Sequence, residues 1–178
     1  MISLVTGGCG FIGSHIVDKL IMLGHDVRVI DDLSAEENQS FYYNDQATYW
    51  QKDISKDNCS DAFVDVDYVF HLAARSRIQP TIGSPNECFE VNVVGTQRVL
   101  EWSRMNKVKK VIYSGTSSLY GHQNTIPFQP NMPANCLNPY SISKCAGEDL
   151  CKMYTNLYGL ETVAFRYFNV YGDRQPLK

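Results

Sequence analysis

The sequence predicts an α/β fold, a doubly wound parallel sheet covered by helices, and three observations carry that expectation. Short apolar and β-branched runs alternate with longer stretches of helical period along the whole chain. Strands and helices that alternate in this way pack as βαβ units, which set the strands parallel and bury both faces of the sheet. The 178 residues, 44% hydrophobic and 20% charged, suffice for one compact core and leave no room for a second complete domain.

The elements follow in order. A strand from Ile2 to Thr6 runs straight into glycines, and a helix from Phe11 to Leu23 follows. Strands are expected at Val27 to Ile30, Tyr68 to His71 and Val108 to Ser114, with a long helix from Pro85 to Met105 before the last of these. Gly121 to Pro139, with Pro127, Pro130, Pro133 and Pro139, reads as a loop. A helix from about Tyr140 to Tyr158 stops near Gly159, and Glu161 to Phe165 forms one more strand before a turn at Gly172 and the end at Lys178. Residues 1–178 are thus expected to form a single domain.

A net charge of −3 leaves no basic excess for wrapping a phosphate backbone, so nucleic acid is not expected as a partner. Apolar stretches such as Leu20 to Leu23 are too short to cross a bilayer, and the start of the chain lacks the pattern of a signal peptide. The cytoplasm is the expected compartment. The six cysteines (Cys9, Cys59, Cys88, Cys136, Cys145, Cys151) show no C-x-x-C pair, and neither they nor His15, His25 and His122 have zinc-ligand spacing; reduced thiols and no metal are expected.

Gly7, Gly10 and Gly13 form G-x-x-G-x-x-G between the first strand and the first helix. With 12 glycines in 178 residues, only about 0.05 such triplets arise by chance. Missing side chains let a backbone approach a pyrophosphate, and the N–H groups and dipole of a helix start stabilise its charge. Asp31 ends the second strand, where a carboxylate accepts hydrogen bonds from both hydroxyls of an adenosine ribose and repels a 2′-phosphate. NAD is therefore expected over NADP, although Arg28 nearby pulls the other way.

Tyr140 and Lys144 form Y-x-x-x-K, a pair of which roughly 0.6 is expected by chance, yet at i and i+4 of a helix they face the same way. An ammonium beside a phenol favours the phenolate, and bringing a Tyr pKa from about 10 towards 7 takes about 4 kcal/mol, which Lys144 and a positively charged nicotinamide together are expected to supply. Tyr140 is thus a candidate general base on a sugar hydroxyl. The hydroxyl-rich string Ser114 to Gly121 follows an apolar strand, at the strand end where ligands bind in doubly wound sheets, and Thr116 is placed to hydrogen-bond the reacting oxygen. His71 reads as a hydrogen-bonded strand-end histidine, since the base is already Tyr140. Arg75 and Arg77 meet a substrate phosphate or lie in a solvated loop.

Thr6 to Ser14, Asp31, Asp53-Ile54, His71-Leu72-Ala73-Ala74, Asn92 to Thr96, the hydroxyl string, Pro139 to Lys144 and Arg166 to Gly172 together resemble the NAD-dependent epimerase/dehydratase family, most of all its UDP-sugar 4-epimerases. The resemblance implies a Rossmann fold in which Gly7, Gly10, Phe11, Ile12, Gly13, Asp31, Ser114 and Lys144 contact the cofactor. It implies that Asp53 and Ile54 hold adenine, that Leu72, Ala73 and Ala74 line the cleft, that Tyr167 lies near the nicotinamide, and that Asn92 supports Tyr140 and Lys144. Thr116, Ser117, Ser118, Tyr140 and Asn169 would face a nucleotide sugar, a UDP-hexose or UDP-N-acetylhexosamine.

Members of this family continue past their equivalent of Gly172 into a smaller substrate-binding domain, so that domain is expected to be missing and turnover by these residues alone to be low. The related 4,6-dehydratases carry Asp-Glu after the catalytic Thr, where this chain has Ser117 and Ser118. An epimerase is therefore the first expectation; a dehydratase or another NAD-dependent sugar-modifying enzyme is the second, and a cofactor-binding module without catalysis the third. Apolar residues on the helix after Tyr140 (Ile142, Ala146, Leu150, Met153, Leu157) and the resemblance together point to a homodimer.

Overall fold

The computed structural model of the chain describes residues 1–176 apart from 36, 37, 39, 123 and 124; two positions of the expected 121–139 loop, and Leu177 and Lys178 at the end, lie outside it. The first half runs β1 (Ile2–Thr6), α1 (Phe11–Met22), β2 (Asp26–Asp31), β3 (Ala47–Gln51) and β4 (Tyr68–His71), with a short 3-10 turn at Ser60–Phe63 before β4. The second half runs α2 (Ile78–Gly83), α3 (Pro85–Phe89), a π-helical turn (Glu90–Gly95), α4 (Thr96–Met105), β5 (Lys110–Thr116), a 3-10 turn (Ser117–Tyr120), α5 (Pro139–Tyr158) and β6 (Thr162–Tyr167).

All strands pair in parallel in the order β3-β2-β1-β4-β5-β6. Side chains alternate across the sheet, so adjacent residues enter different cores. Val5 and Val29 join Val17 and Leu20 of α1 on one side. Leu4 and Ile30 join Val99 and Leu100 of α4 and Cys151 and Tyr154 of α5 on the other. The doubly wound expectation is met for the same reason that the central strands read as unbroken apolar runs: both faces are covered.

After β3 the chain returns to the far side of β1, so β1 has β2 on one flank and β4 on the other. Their carboxyl ends are level: Thr6 pairs with Ile30 and with His71. A crevice opens at this reversal of strand order. Five elements differ from expectation. The edge strand β3 and the short α2 had no strong period, since β3 is only half-buried and α2 contains Pro80. The single helix expected from Pro85 to Met105 is broken by the π turn. β5 and β6 each end two residues later than expected, which brings Gly115, Thr116, Arg166 and Tyr167 into the sheet.

Candidate active site

A cleft of about 720 Å³ lies along the carboxyl ends of the strands. Its first wall is backbone. Gly7 has φ +71°, and a Cβ on it would sit 2.7 Å from the Ala73 nitrogen, so β1 and β4 meet there only without a side chain. A Cβ on Gly13 would overlap the Gly7 carbonyl oxygen. Gly10 is different: nothing would come closer to its Cβ than 3.6 Å, so the protein's own packing does not demand a glycine. Gly10 is also the N-cap of α1 and offers no side-chain cap, which leaves the first N–H groups of the helix, at Phe11 and Ile12, for an anion.

Asp31 closes this end of the cleft. Its Oδ2 accepts from the Cys9 N–H at 2.9 Å and its Oδ1 from the Leu33 N–H at 2.9 Å, which fixes the carboxylate while leaving lone pairs on both oxygens. Burial pushes its pKa up, opposed by those two hydrogen bonds. Arg28 is spent elsewhere, on the carbonyls of Ala62 (3.1 Å) and Val64 (2.6 Å), so it does not offset the repulsion of a 2′-phosphate. Asp53 and Ile54 line the same end, Asp53 being held by the Ser55 N–H and hydroxyl at 2.8 and 2.6 Å. The residues fit a dinucleotide: an open glycine cradle, a free helix start and a half-buried acceptor follow one another along one cleft.

Behind the cradle a buried polar chain joins the two walls. Thr96 Oγ1 donates to the Asn92 carbonyl at 2.6 Å, so towards His71 Nε2, 2.9 Å away, it accepts. His71 is thereby assigned as the Nε2–H tautomer. Its Nδ1 accepts from Thr6 Oγ1 at 2.7 Å, and that oxygen accepts in turn from the N–H groups of Leu72 and Ala73, both at 3.2 Å. Burial, aided by the Lys144 charge, pushes the His71 pKa down to about 3, so the ring is neutral. The expected strand-end histidine is a bridge from the end of β1 to the π turn.

That turn presents Asn92. Its Oδ1 accepts from the Arg75 N–H at 2.7 Å, and its Nδ2 donates to the Arg75 carbonyl at 3.0 Å and to Ser143 Oγ at 2.9 Å. Ser143 passes the link to the Tyr140 carbonyl at 2.8 Å. Asn92 therefore ties the loop after β4 to the first turn of α5. The Asn138 side chain accepts from the Ser141 N–H at 2.9 Å and the Ser141 hydroxyl reaches back, a capping box with Pro139 in the first turn, which starts α5 so that Tyr140 and Lys144 enter the cleft.

Ser114, Thr116, Tyr140, Lys144, Tyr167 and Asn169 line the second wall with Leu72, Ala73 and Ala74 between the two. Ser117 and Ser118 stand in the 3-10 turn outside that lining, where the Ser118 N–H donates to Thr116 Oγ1 at 3.2 Å. The electrostatics show what the protein groups alone do to the phenol. Lys144 Nζ rests 4.5 Å from the centre of the Tyr113 ring, and burial pushes its pKa down to about 8. Burial pushes the Tyr140 phenol up, with the Thr116 hydroxyl acting in the opposite direction as a hydrogen-bond donor. In this state the phenol is held protonated, because desolvation outweighs the help its neighbours give a phenolate.

A family model described as the NAD dependent epimerase/dehydratase family matches residues 3–178. The chain belongs to this family. A putative UDP-glucose 4-epimerase of Methanocaldococcus jannaschii is 39% identical over 178 residues, 98% of this chain and 58% of the relative. The solved UDP-glucose 4-epimerase of Thermotoga maritima, with UDP-glucose, superposes with a TM-score of 0.91 at 36% identity, over 98% of this chain and 58% of that one. The UDP-glucose 4-epimerase of Thermus thermophilus, in complex with NAD, gives 0.88 at 33% identity, over 98% and 57%. The chain thus spans a little over half the length of these relatives.

Within this epimerase/dehydratase domain one group went unread in the sequence. Glu148, on α5 one turn beyond Lys144, receives Arg166 through Nε at 3.1 Å and Nη2 at 2.9 Å, while Arg166 Nη1 reaches the Tyr120 hydroxyl at 3.1 Å and the Pro130 carbonyl at 2.8 Å. The pair binds α5 to β6 and to the loop after β5. The spacing Tyr140, Lys144, Glu148 on one helix face was the available sign.

Proposed function

We propose that this chain carries the cofactor site and catalytic groups of a UDP-sugar 4-epimerase, with NAD as cofactor and a UDP-hexose or UDP-N-acetylhexosamine as substrate. The observation that carries the reading is the convergence of Tyr140, Thr116 and Lys144 on the cleft that also holds the glycine cradle. NAD, when bound, supplies a hydride acceptor and a positively charged ring. Asp31 accepts the ribose hydroxyls, and Tyr167 and Asn169 border the reacting end. Tyr140 Oη, ionised once the positive ring of bound NAD and the Lys144 ammonium offset its desolvation, would take the proton of the sugar hydroxyl and return it, while Thr116 Oγ1 orients that oxygen. Asn92 holds these groups in register from below. Ser117 and Ser118 offer no carboxyl group for water elimination, which favours epimerisation over dehydration.

Products decide it once the chain is joined to the smaller substrate-binding domain of the family: unchanged mass with inverted configuration at C4 by NMR is expected, and loss of water as the main reaction would overturn the reading. Tyr140→Phe is expected to lower kcat at least about 100-fold with KM little changed. Fluorescence titration is expected to show NAD bound tighter than NADP; equal affinity would remove the role given to Asp31. The outward face of α5, where Ile142 is 45% and Leu157 68% exposed, supports a homodimer, which light scattering tests. Among the described residues no helix is long and apolar enough to cross a membrane. The six free thiols support the cytoplasm as the setting.

A further inference from the structure

Arg75 stands at the centre of a polar strap that spans the cleft. Ser34 gives both its N–H (3.1 Å) and its hydroxyl (2.5 Å) to Asp32 Oδ1, at the end of the second strand. Arg75 Nη1 donates to Ser34 Oγ at 2.6 Å, and Arg75 Nη2 pairs with Glu87 Oε1 of α3 at 2.6 Å. The backbone of Arg75 is pinned at both its N–H and its carbonyl by Asn92, so the side chain alone has freedom to move. Ala73, two residues earlier, abuts Gly7 of the cradle, and Arg75 and Ser34 both line the cleft.

The guanidinium is incompletely used. Its Nε is a buried side-chain donor with no hydrogen-bond partner, and among the described residues it is the one such atom found. Nε and Nη2 form one edge of the guanidinium, a fork whose geometry matches two oxygens of a carboxylate or phosphate. Glu87 occupies only the Nη2 end of that fork, and its side chain is 49% exposed, so water competes for it. A buried idle donor beside a half-engaged fork, in the wall of a cleft whose cradle suits a pyrophosphate, marks a position awaiting a better anion.

We propose that Arg75 is a phosphate latch: when a dinucleotide binds, its guanidinium leaves Glu87 and grips the pyrophosphate through the Nε and Nη2 edge, keeping Nη1 on Ser34. The inference rests on the reading of the cleft as an NAD site. The pyrophosphate of the dinucleotide is preferred to the diphosphate of a nucleotide sugar because the strap is anchored at Asp32, next to the ribose acceptor Asp31. Glu87 holds the guanidinium extended over the cleft until the anion arrives.

Isothermal titration of the chain with NAD, ADP-ribose, adenosine and UDP tests the latch. Arg75→Gln is expected to weaken NAD and ADP-ribose about tenfold, the size of one charged hydrogen bond, and to leave adenosine and UDP within about twofold. Arg75→Lys recovers only part of the loss, because an ammonium lacks the fork. Glu87→Gln, which removes the competing anion, is expected to tighten NAD about threefold at low salt. Unchanged NAD affinity in Arg75→Gln, an equal loss of adenosine, or a loss confined to UDP would overturn the latch while NAD binding by the wild type stands. Wild-type protein that binds no NAD would remove the cofactor reading first, and the latch with it.

Discussion

One wall of the cleft is backbone, three glycines and the bare start of α1, whereas the facing wall is a set of ionisable and hydroxyl side chains, the buried Thr116 and Lys144 and the half-buried Tyr140, with the buried His71 behind them. The two helix starts repeat the contrast: α1 begins at Gly10 with no side-chain cap, and α5 begins at Asn138 with a closed capping box. An open cap receives a ligand's charge; a closed one holds a catalytic side chain still. The backbone wall is therefore sensitive to volume, and the side-chain wall to charge.

The largest expected effect breaks the backbone wall. Gly13→Ala forces a Cβ onto the Gly7 carbonyl and is expected to cost about 3 kcal/mol of stability, with loss of NAD binding. Gly10→Ala, with 3.6 Å of clearance, is expected to change stability by less than about 1 kcal/mol while still weakening the dinucleotide. Urea unfolding paired with NAD titration measures both, and equal stability losses in the two variants would erase the distinction between packing glycine and ligand glycine.

On the side-chain wall the expected sign is reversed. The Lys144 pKa is pushed from 10.5 down to about 8 by burial, so the unfolded chain keeps this proton to higher pH than the native one. The charge therefore opposes folding in full below pH 8, and the cost fades as pH rises through 8 towards 10.5. Lys144→Met is expected to stabilise the protein by about 1–3 kcal/mol at neutral pH while weakening catalysis. Denaturation at pH 7 shows it directly, and a destabilised variant there would mean that the cation over the Tyr113 ring is a net favourable contact.

His71 sharpens the same contrast at acid pH. Its pKa lies at about 3 in the fold against 6.5 outside it, so stability from this group is intact above 6.5 and declines as pH falls towards 3, by about 1.4 kcal/mol per pH unit. A flattened acid limb in His71→Gln is the expected result; an unchanged slope would assign the acid sensitivity elsewhere. The smallest effect belongs to the closed cap: Asn138→Ala is expected to lose about 1 kcal/mol by thermal melting, where an uncapped α1 has no such loss to give.

The sequence showed the backbone wall almost whole, because a glycine triplet between a strand and a helix needs only local geometry, and Asp31 follows from strand length. Tyr140, Lys144 and Thr116 were also visible as positions, yet the state of the phenol was not. Whether Lys144 lowers its pKa depends on where the ammonium rests, and it rests on Tyr113, contributed by β5. Glu148 and its pairing with Arg166 escaped notice for a similar reason: an ion pair across 18 residues is written in neither element alone. β3 was hidden because an edge strand with half-buried residues carries no clear period.

The π turn at Glu90–Gly95 sets the phase of everything on either side of it. One residue advances an α-helix by about 100°, so the extra residue accommodated there determines which side chains from Pro85 onward share a face with those that follow. Val94, 47% exposed, is open to exchange. Deleting any single residue from 90 to 95 is another matter: the segment would regain a regular helix, and either Asn92 would swing away from Arg75 and Ser143 or Thr96 from His71. The segment thus tolerates a new residue at Val94 but not a change in length, and a shortened variant that is better folded as a helix is expected to be worse as an active site.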